Sequence, residues 1–160
     1  AMGDAYPDGA VDAVIFKLAE QGRMGRKANA GFYDYDAAGK RLGFWPGLAT
    51  EWPESAAPPE LTEVQHRLMF VQSLEAVRAL QDGVLEDIRE GDVGAILGWG
   101  FAPWSGGPFG WLDMLGAARA VDIAEALAAK FGPRFAAPQL LKDMAAKGET
   151  FYGKTARKAA

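Results

Sequence analysis

The strongest constraint in this chain is a run of twenty residues, Val93 to Leu112, that carries no charge, six glycines, two prolines and three of the five tryptophans. Twenty uncharged residues would reach across a bilayer, but a spanning helix must satisfy its own backbone, and glycine and proline at this density break the ladder. No membrane span is expected. A loop that cradles phosphate needs a strand before its glycines, whereas a helical pattern precedes these. Pro103 also stands where the dinucleotide spacing that begins at Gly98-Trp99-Gly100 requires a third glycine. The run is therefore read as a tight connection whose glycines let the chain turn, with Trp99, Phe101, Trp104 and Trp111 filling the core beneath it.

The remaining pattern is mostly helical. Val11, Val14, Ile15 and Leu18 recur at helical spacing between a cap at Asp8 and Gly22. Gly31-Phe32-Tyr33-Asp34-Tyr35 and Leu42-Gly43-Phe44-Trp45 flank a turn at residues 36–40 and predict a small hairpin. Four prolines (46, 53, 58 and 59) mark residues 46–59 as a linker. From Glu60 to Asp82, Leu61, Val64, Leu68, Val71, Leu74, Val77 and Leu80 predict the longest helix, stopped by Gly83. Further helices are expected over Ile88–Leu97 with Val93, Ile96 and Leu97 on one face, from Pro108 through Leu115, from Val121 to Phe131, and from Pro138 to Ala146. Residues 154–160 are expected to fray.

A chain of 160 residues, 49% hydrophobic and 24% charged, can bury the core of one soluble domain. A net charge of −4 argues against nucleic acid as a partner, and the absence of cysteine removes disulfides, thiolate nucleophiles and cysteine-ligated metals. The start Ala1-Met2-Gly3-Asp4 has no signal-peptide pattern and reads as a cloning scar on a piece of a longer reading frame. His66 is the only histidine, and Glu63 one turn earlier is read as its partner on a solvated face rather than as half of a catalytic dyad. Arg23, Arg26 and Lys27 form a local basic cluster that could hold an anion such as a nucleotide phosphate, although Arg23 falls where cations favour a helix C-terminus. Asp92 and Asp113 bracket the uncharged run and are read as capping or pairing groups. No metal-ligand cluster and no convincing catalytic constellation emerge from the residues themselves.

Three blocks together carry a family resemblance. Gly22-Arg23-Met24-Gly25-Arg26-Lys27, running into Ala30-Gly31-Phe32-Tyr33-Asp34-Tyr35, resembles the R-x-G-x-K, then GFY-x-Y segment that closes a C-terminal-domain repeat of the 3-hydroxyacyl-CoA dehydrogenases. Arg67-Leu68, Glu75-Ala76, Asp82-Gly83 and Asp92 resemble the start of a second repeat. Gly98 through Gly116, with Gly100, Phe101, Pro103, Gly106, Gly107 and Asp113, resembles that family's G-x-GFPP-x-x-GG-x-F-x-x-x-D-x-x-G signature, with Ala102 in place of its first proline. The order and spacing hold over roughly residues 10 to 152.

The resemblance is closest to the multifunctional alpha subunits of fatty-acid β-oxidation complexes. It implies an all-α fold: a helical bundle of the C-terminal-domain type with a small β-hairpin near residues 31–45. The implied organisation is the tail of a first repeat (1–45), a linker (46–59), a second repeat (60–152) and a frayed tail (153–160). It implies a parent enzyme that oxidises 3-hydroxyacyl-CoA with NAD, fused to an enoyl-CoA hydratase. The catalytic His–Glu pair and the NAD loop would lie upstream, leaving this piece inactive, without catalytic or metal residues of its own, and binding no cofactor by itself.

Its implied partners are the NAD-binding domain and first repeat of the same chain, a thiolase subunit, and the parent's acyl-CoA substrate. A bacterial, cytoplasmic source is expected. His66 stands where first repeats commonly carry an asparagine, and no substrate role is assigned to it. Two other readings are a free-standing helical interaction module and an acyl-CoA-binding protein using Arg23, Arg26 and Lys27.

Overall fold

The computed structural model of the chain describes residues 9–153; the cap expected at Asp8 and the tail expected to fray at 154–160 lie outside them. The fold is helical with one small antiparallel sheet, in the order α1 Gly9–Glu20, β1 Tyr33–Tyr35, β2 Arg41–Phe44, α2 Leu48–Glu51, α3 Leu61–Gln81, α4 Ile88–Trp99, α5 Pro108–Leu115, α6 Ala117–Phe131 and α7 Gln139–Lys147. No described helix is long and apolar enough to cross a membrane. The chain divides at Pro58 into two compact units.

In the first unit α1 ends in a left-handed turn at Gly22 (φ 72), where Gly22 and Arg23 donate their backbone N–H groups to Ala19 and Leu18. Of the apolar positions expected to face inward, Leu18 is 3% exposed but Ile15 is 50% exposed. The hairpin pairs Tyr33 with Phe44 and Asp34 with Gly43, and is irregular between Asp34 and Tyr35. Its base is organised by Arg23, which donates to the Gly31 carbonyl (2.8 Å), pairs with Asp34 (2.5 Å) and stacks on the Trp45 ring at 4.2 Å. The segment expected to be irregular after Pro46 contains the one-turn helix α2. A single turn carries no periodicity to read, and α2 is tied down through Glu51, which pairs with Lys17 and accepts from Gln21 at 3.0 Å.

The second unit is a bundle whose core joins Phe70, Leu74 and Val77 of α3 to Phe109 and Leu112 of α5, Ala120 and Ala124 of α6, and Leu141 of α7, all fully buried. The expected α3 stripe is only half right, because Leu61, Leu68 and Val71 are 69%, 60% and 38% exposed. Residues spaced by three advance about 300° around a helix, so a stripe written 68, 71, 74, 77, 80 walks about 60° per step and leaves the core face. On α4 the expected face is also the wrong one. Val93 and Leu97 are 56% and 80% exposed, while Asp92 and Ala95 point inward at 3% and 0%.

Asp92 is the reason. Its carboxylate accepts the backbone N–H of Phe109 (2.8 Å) and Gly110 (3.1 Å) in the first turn of α5, and the Tyr152 hydroxyl (2.7 Å). The first N–H groups of a helix have no partner within it, and the helix dipole favours an anion there. Gly107 makes the approach feasible: its φ is 105, and a Cβ would stand 2.4 Å from the Asp92 Cβ. Asp113, further along α5, accepts the backbone N–H of Phe151 (2.8 Å) and Tyr152 (3.1 Å), which seats the Phe151 ring 5.0 Å from Phe109.

Removing the Asp92 acceptor strands buried donors, so Asp92→Ala should cost about 3 kcal/mol or more in urea denaturation. The Tyr152 hydroxyl is pushed up to about 12 by burial, by its hydrogen bond to Asp92, and by the charges of Asp92, Asp113 and Asp87. A phenol held neutral in the fold contributes stability that is complete below its unfolded value of about 10 and is lost as pH rises toward the folded value. Stability should therefore fall between pH 10 and about 12. Tyr152→Phe should flatten that fall; an unchanged alkaline profile in the variant would count against the linkage.

Candidate interdomain surface

On the outside of the second unit lies an apolar groove of about 460 Å³. Its α3 wall is His66, Leu68 and Met69, and its other wall is Trp104, Trp111 and Leu115. The groove follows from how the uncharged run folds. After α4, Gly100 takes a left-handed conformation (φ 78) and Phe101 drops into the core at 2% exposure. Residues Pro103–Ser105 then form a 3-10 turn, locked by the Ser105 hydroxyl donating to the Ala102 carbonyl at 2.6 Å. That turn lifts Trp104 outward while α5 carries Trp111 inward.

The aromatics expected in the core therefore divide. Phe101 and Trp111 are 2% and 6% exposed, but Trp99 and Trp104 are 62% and 70% exposed. The reason lies in their anchoring: Trp111 packs edge-on against Phe70 at 4.8 Å. Trp99 instead lies across the surface, donating its indole N–H to Gln72 at 2.9 Å, while Gln72 donates to the Leu68 carbonyl at 2.7 Å. Leu68, Trp99 and Trp104, with Val93 and Leu97 one turn apart on α4, give this unit more exposed large apolar side chains than scattered surface residues require.

The chain holds no titratable pair poised for catalysis in the groove. His66 meets Phe70 edge-on at 5.9 Å, and Glu63, expected to pair with it, is ion-paired with Lys130 instead. Arg67 stacks on Phe131 at 4.2 Å, and Glu75 pairs with Arg78 at 3.1 Å. Among the described residues no three His, Cys, Asp or Glu side chains gather to hold a metal ion. Asp87 is an ordinary helix cap: it accepts the Arg89 backbone N–H, and its hydrogen bonds with the Arg89 side chain and backbone hold its carboxyl down to about 2.

The three cations of the expected anion site separate. Arg23 turns inward with its side chain 12% exposed, Lys27 is exposed, and Arg26 lies against the hairpin turn beside Gly39. Gly31, Phe32 and Tyr33 line a second apolar hollow of about 380 Å³ with Ile15, Leu18 and Met24, all within the first unit. Gln72, the support of Trp99, carries no mark in the sequence. Tyr152 could have been found, since Pro108 opens a helix whose next N–H groups need an acceptor and Asp92 lies just upstream.

One family model, described as 3-hydroxyacyl-CoA dehydrogenase, C-terminal domain, matches residues 64–159. The chain is also similar to the fatty acid oxidation complex subunit alpha of Shewanella amazonensis, at 41% identity over 151 residues. That match covers 88% of this chain and 20% of the relative, so the chain spans about a fifth of the relative's length.

Because Trp104 and Leu68 project from the fold, Trp104→Ala and Leu68→Ser should each change unfolding free energy by less than about 0.5 kcal/mol, whereas Trp111→Ala should cost about 3–5 kcal/mol. Chemical denaturation of the three variants separates the surface aromatics from the core one.

Proposed function

The chain belongs to the 3-hydroxyacyl-CoA dehydrogenase C-terminal-domain family, and from that premise we propose that it is the C-terminal architectural part of a fatty-acid β-oxidation enzyme. The parent polypeptide hydrates enoyl-CoA and oxidises the resulting 3-hydroxyacyl-CoA to the 3-oxo thioester, passing hydride to NAD held in an upstream domain. Residues 1–45 close a first C-terminal repeat, 46–59 link, and 60–152 make the second. Such a part binds no NAD alone and performs no turnover. Its work is to present a surface to the NAD-binding domain and first repeat of the same chain, and the whole enzyme engages a thiolase subunit.

The observation that carries this reading is the apolar face of the second unit, where Trp104, Trp99, Leu97 and Leu68 are each at least 60% exposed. Exposed apolar area of this kind marks an interface. Gly98 adds to it. Nothing lies within 4 Å of where its Cβ would be, so nothing in this chain requires a glycine inside α4, where glycine costs about 0.5–1 kcal/mol relative to alanine. A neighbour packed closely on α4 would.

Two measurements test the reading. Calorimetric titration of the 160-residue chain with NAD should give no saturable heat below roughly 1 mM, and saturation in that range would overturn it. Gly98→Ala should raise the stability of the isolated chain by about 0.5–1 kcal/mol while weakening assembly or activity of the full-length parent. An alanine that stabilises both would mean no partner approaches α4 there. The same exposed face also suits a free-standing interaction module, which predicts no dependence of any dehydrogenase on this segment.

A further inference from the structure

Outside the surface described above, the hairpin of the first unit carries a notch of about 400 Å³ walled by Arg26, Tyr35, Gly39, Lys40 and Arg41. Three cations surround it in a chain whose net charge is −4. From Arg23 to Arg41 the sequence holds five cations and only two carboxylates, Asp34 and Asp36. Both carboxylates are already engaged. Asp34 pairs with Arg23 on the hairpin base, and one oxygen of Asp36 accepts the backbone N–H groups of Ala38 and Lys40, each at 2.9 Å, inside the turn.

Arg26 and Lys40 make no ion pair with any described residue, and Arg41 lies over the Tyr33 ring at 4.5 Å, a contact that orients its guanidinium without neutralising it. Arg26 is lodged against the turn, where a Cβ at Gly39 would stand 3.4 Å from its Nε.

Like charges brought to one notch repel unless an anion is present, and arginine's planar fork suits phosphate oxygens better than any other common group. The volume is in the range of small-molecule sites and exceeds what a single phosphate fills. Tyr35 adds an aromatic wall beside the cations. From this we propose that the notch binds the diphosphate of a small nucleotide, with Arg26, Lys40 and Arg41 on the phosphates and Tyr35 against the organic part. The site lies outside residues 64–159, the stretch matched by the family model, and stands or falls apart from the interdomain reading.

The test is a ¹⁵N NMR titration of the whole 160-residue chain in low salt with ADP, pyrophosphate, coenzyme A and dephospho-coenzyme A. ADP should shift the amides of residues 26, 35 and 39–41 saturably, and added salt should weaken binding, as expected for charge-assisted contacts. The double variant Arg26→Gln, Lys40→Gln should lose about tenfold or more in affinity with its spectrum otherwise intact. The pair Arg119→Gln, Lys147→Gln removes the same charge from exposed positions elsewhere and should lose little. Should the double variant misfold, Lys40→Gln alone should still weaken binding several-fold.

Equal binding of the two coenzyme A forms assigns recognition to the diphosphate, and tighter binding of coenzyme A adds its ribose phosphate; both uphold the site. No saturation of ADP by roughly 10 mM, shifts centred elsewhere, or equal loss in the two double variants would overturn it.

Discussion

The carboxylate of Asp92 sets the geometry on which the second unit depends. It sits at 3% exposure, where an unpaired charge would be severely destabilising, and it is tolerable because three donors converge on it from Phe109, Gly110 and Tyr152. Each donor belongs to a different part of the argument. The two N–H groups fix where α5 begins, and the phenol fixes where the chain arrives after α7. Apolar contacts alone would leave both placements loosely specified, since hydrophobic burial is non-directional. With α5 fixed at that end, Trp111 has one inward direction to take, and the 3-10 turn before it has one outward direction for Trp104.

That arrangement explains how one uncharged run serves two surroundings. Phe101 and Phe109, at 2% and 0% exposure, belong to the core, and Trp104 at 70% lies on the groove. Between them Gly106 and Gly107, at φ 77 and 105, turn the backbone sharply enough to send neighbouring rings to opposite sides. A run packed wholly inside would have left no apolar face, and a run wholly outside would have left α3 without Trp111 and Phe109 to pack on. The division is what allows a helical unit of about a hundred residues to hold a core and still carry a face suited to another domain.

Much of this architecture was legible from the residues. Pro108 announced the start of α5, Gly83 and Gly132 announced the ends of α3 and α6, and the hairpin strands fell within residues 31–45 as their aromatics suggested. The inward faces of α3 and α4 were harder to read. Leu68, Val71 and Leu97 are as apolar as the residues that line the core, and periodicity cannot tell a face that meets its own fold from one that meets something else. Asp92 misleads in the opposite direction, because a carboxylate on the buried side of α4 becomes sensible only once the orphan N–H groups of α5 are set against it. The hairpin cluster was half legible: Arg23, Arg26 and Lys27 were visible as neighbours, but Lys40 and Arg41 approach Arg26 only after the turn closes, and Arg23 leaves the group to hold Asp34.

The two units end alike, and the difference between the endings bears on the proposed role. Ile15, Leu18 and Gly22 of the first unit share the spacing of Met144 and Gly148, with Leu141 before them, in the second. In both, the residue after the left-handed glycine donates its N–H back to the buried apolar residue, Arg23 to Leu18 at 2.8 Å and Glu149 to Met144 at 3.0 Å. A Phe-Tyr pair then follows in each. Phe151-Tyr152 docks on Asp113, Asp92 and Phe109, whereas Phe32 is 42% exposed over a hollow it shares with Ile15 and Met24. On the reading that residues 1–45 close a first repeat, that hollow is where the earlier repeat's own counterpart of α5 would lie, with an aromatic in the place of Phe109. The same ending is thus completed in one unit and left open in the other, a difference the reading of two repeats accounts for without any further assumption about the residues themselves.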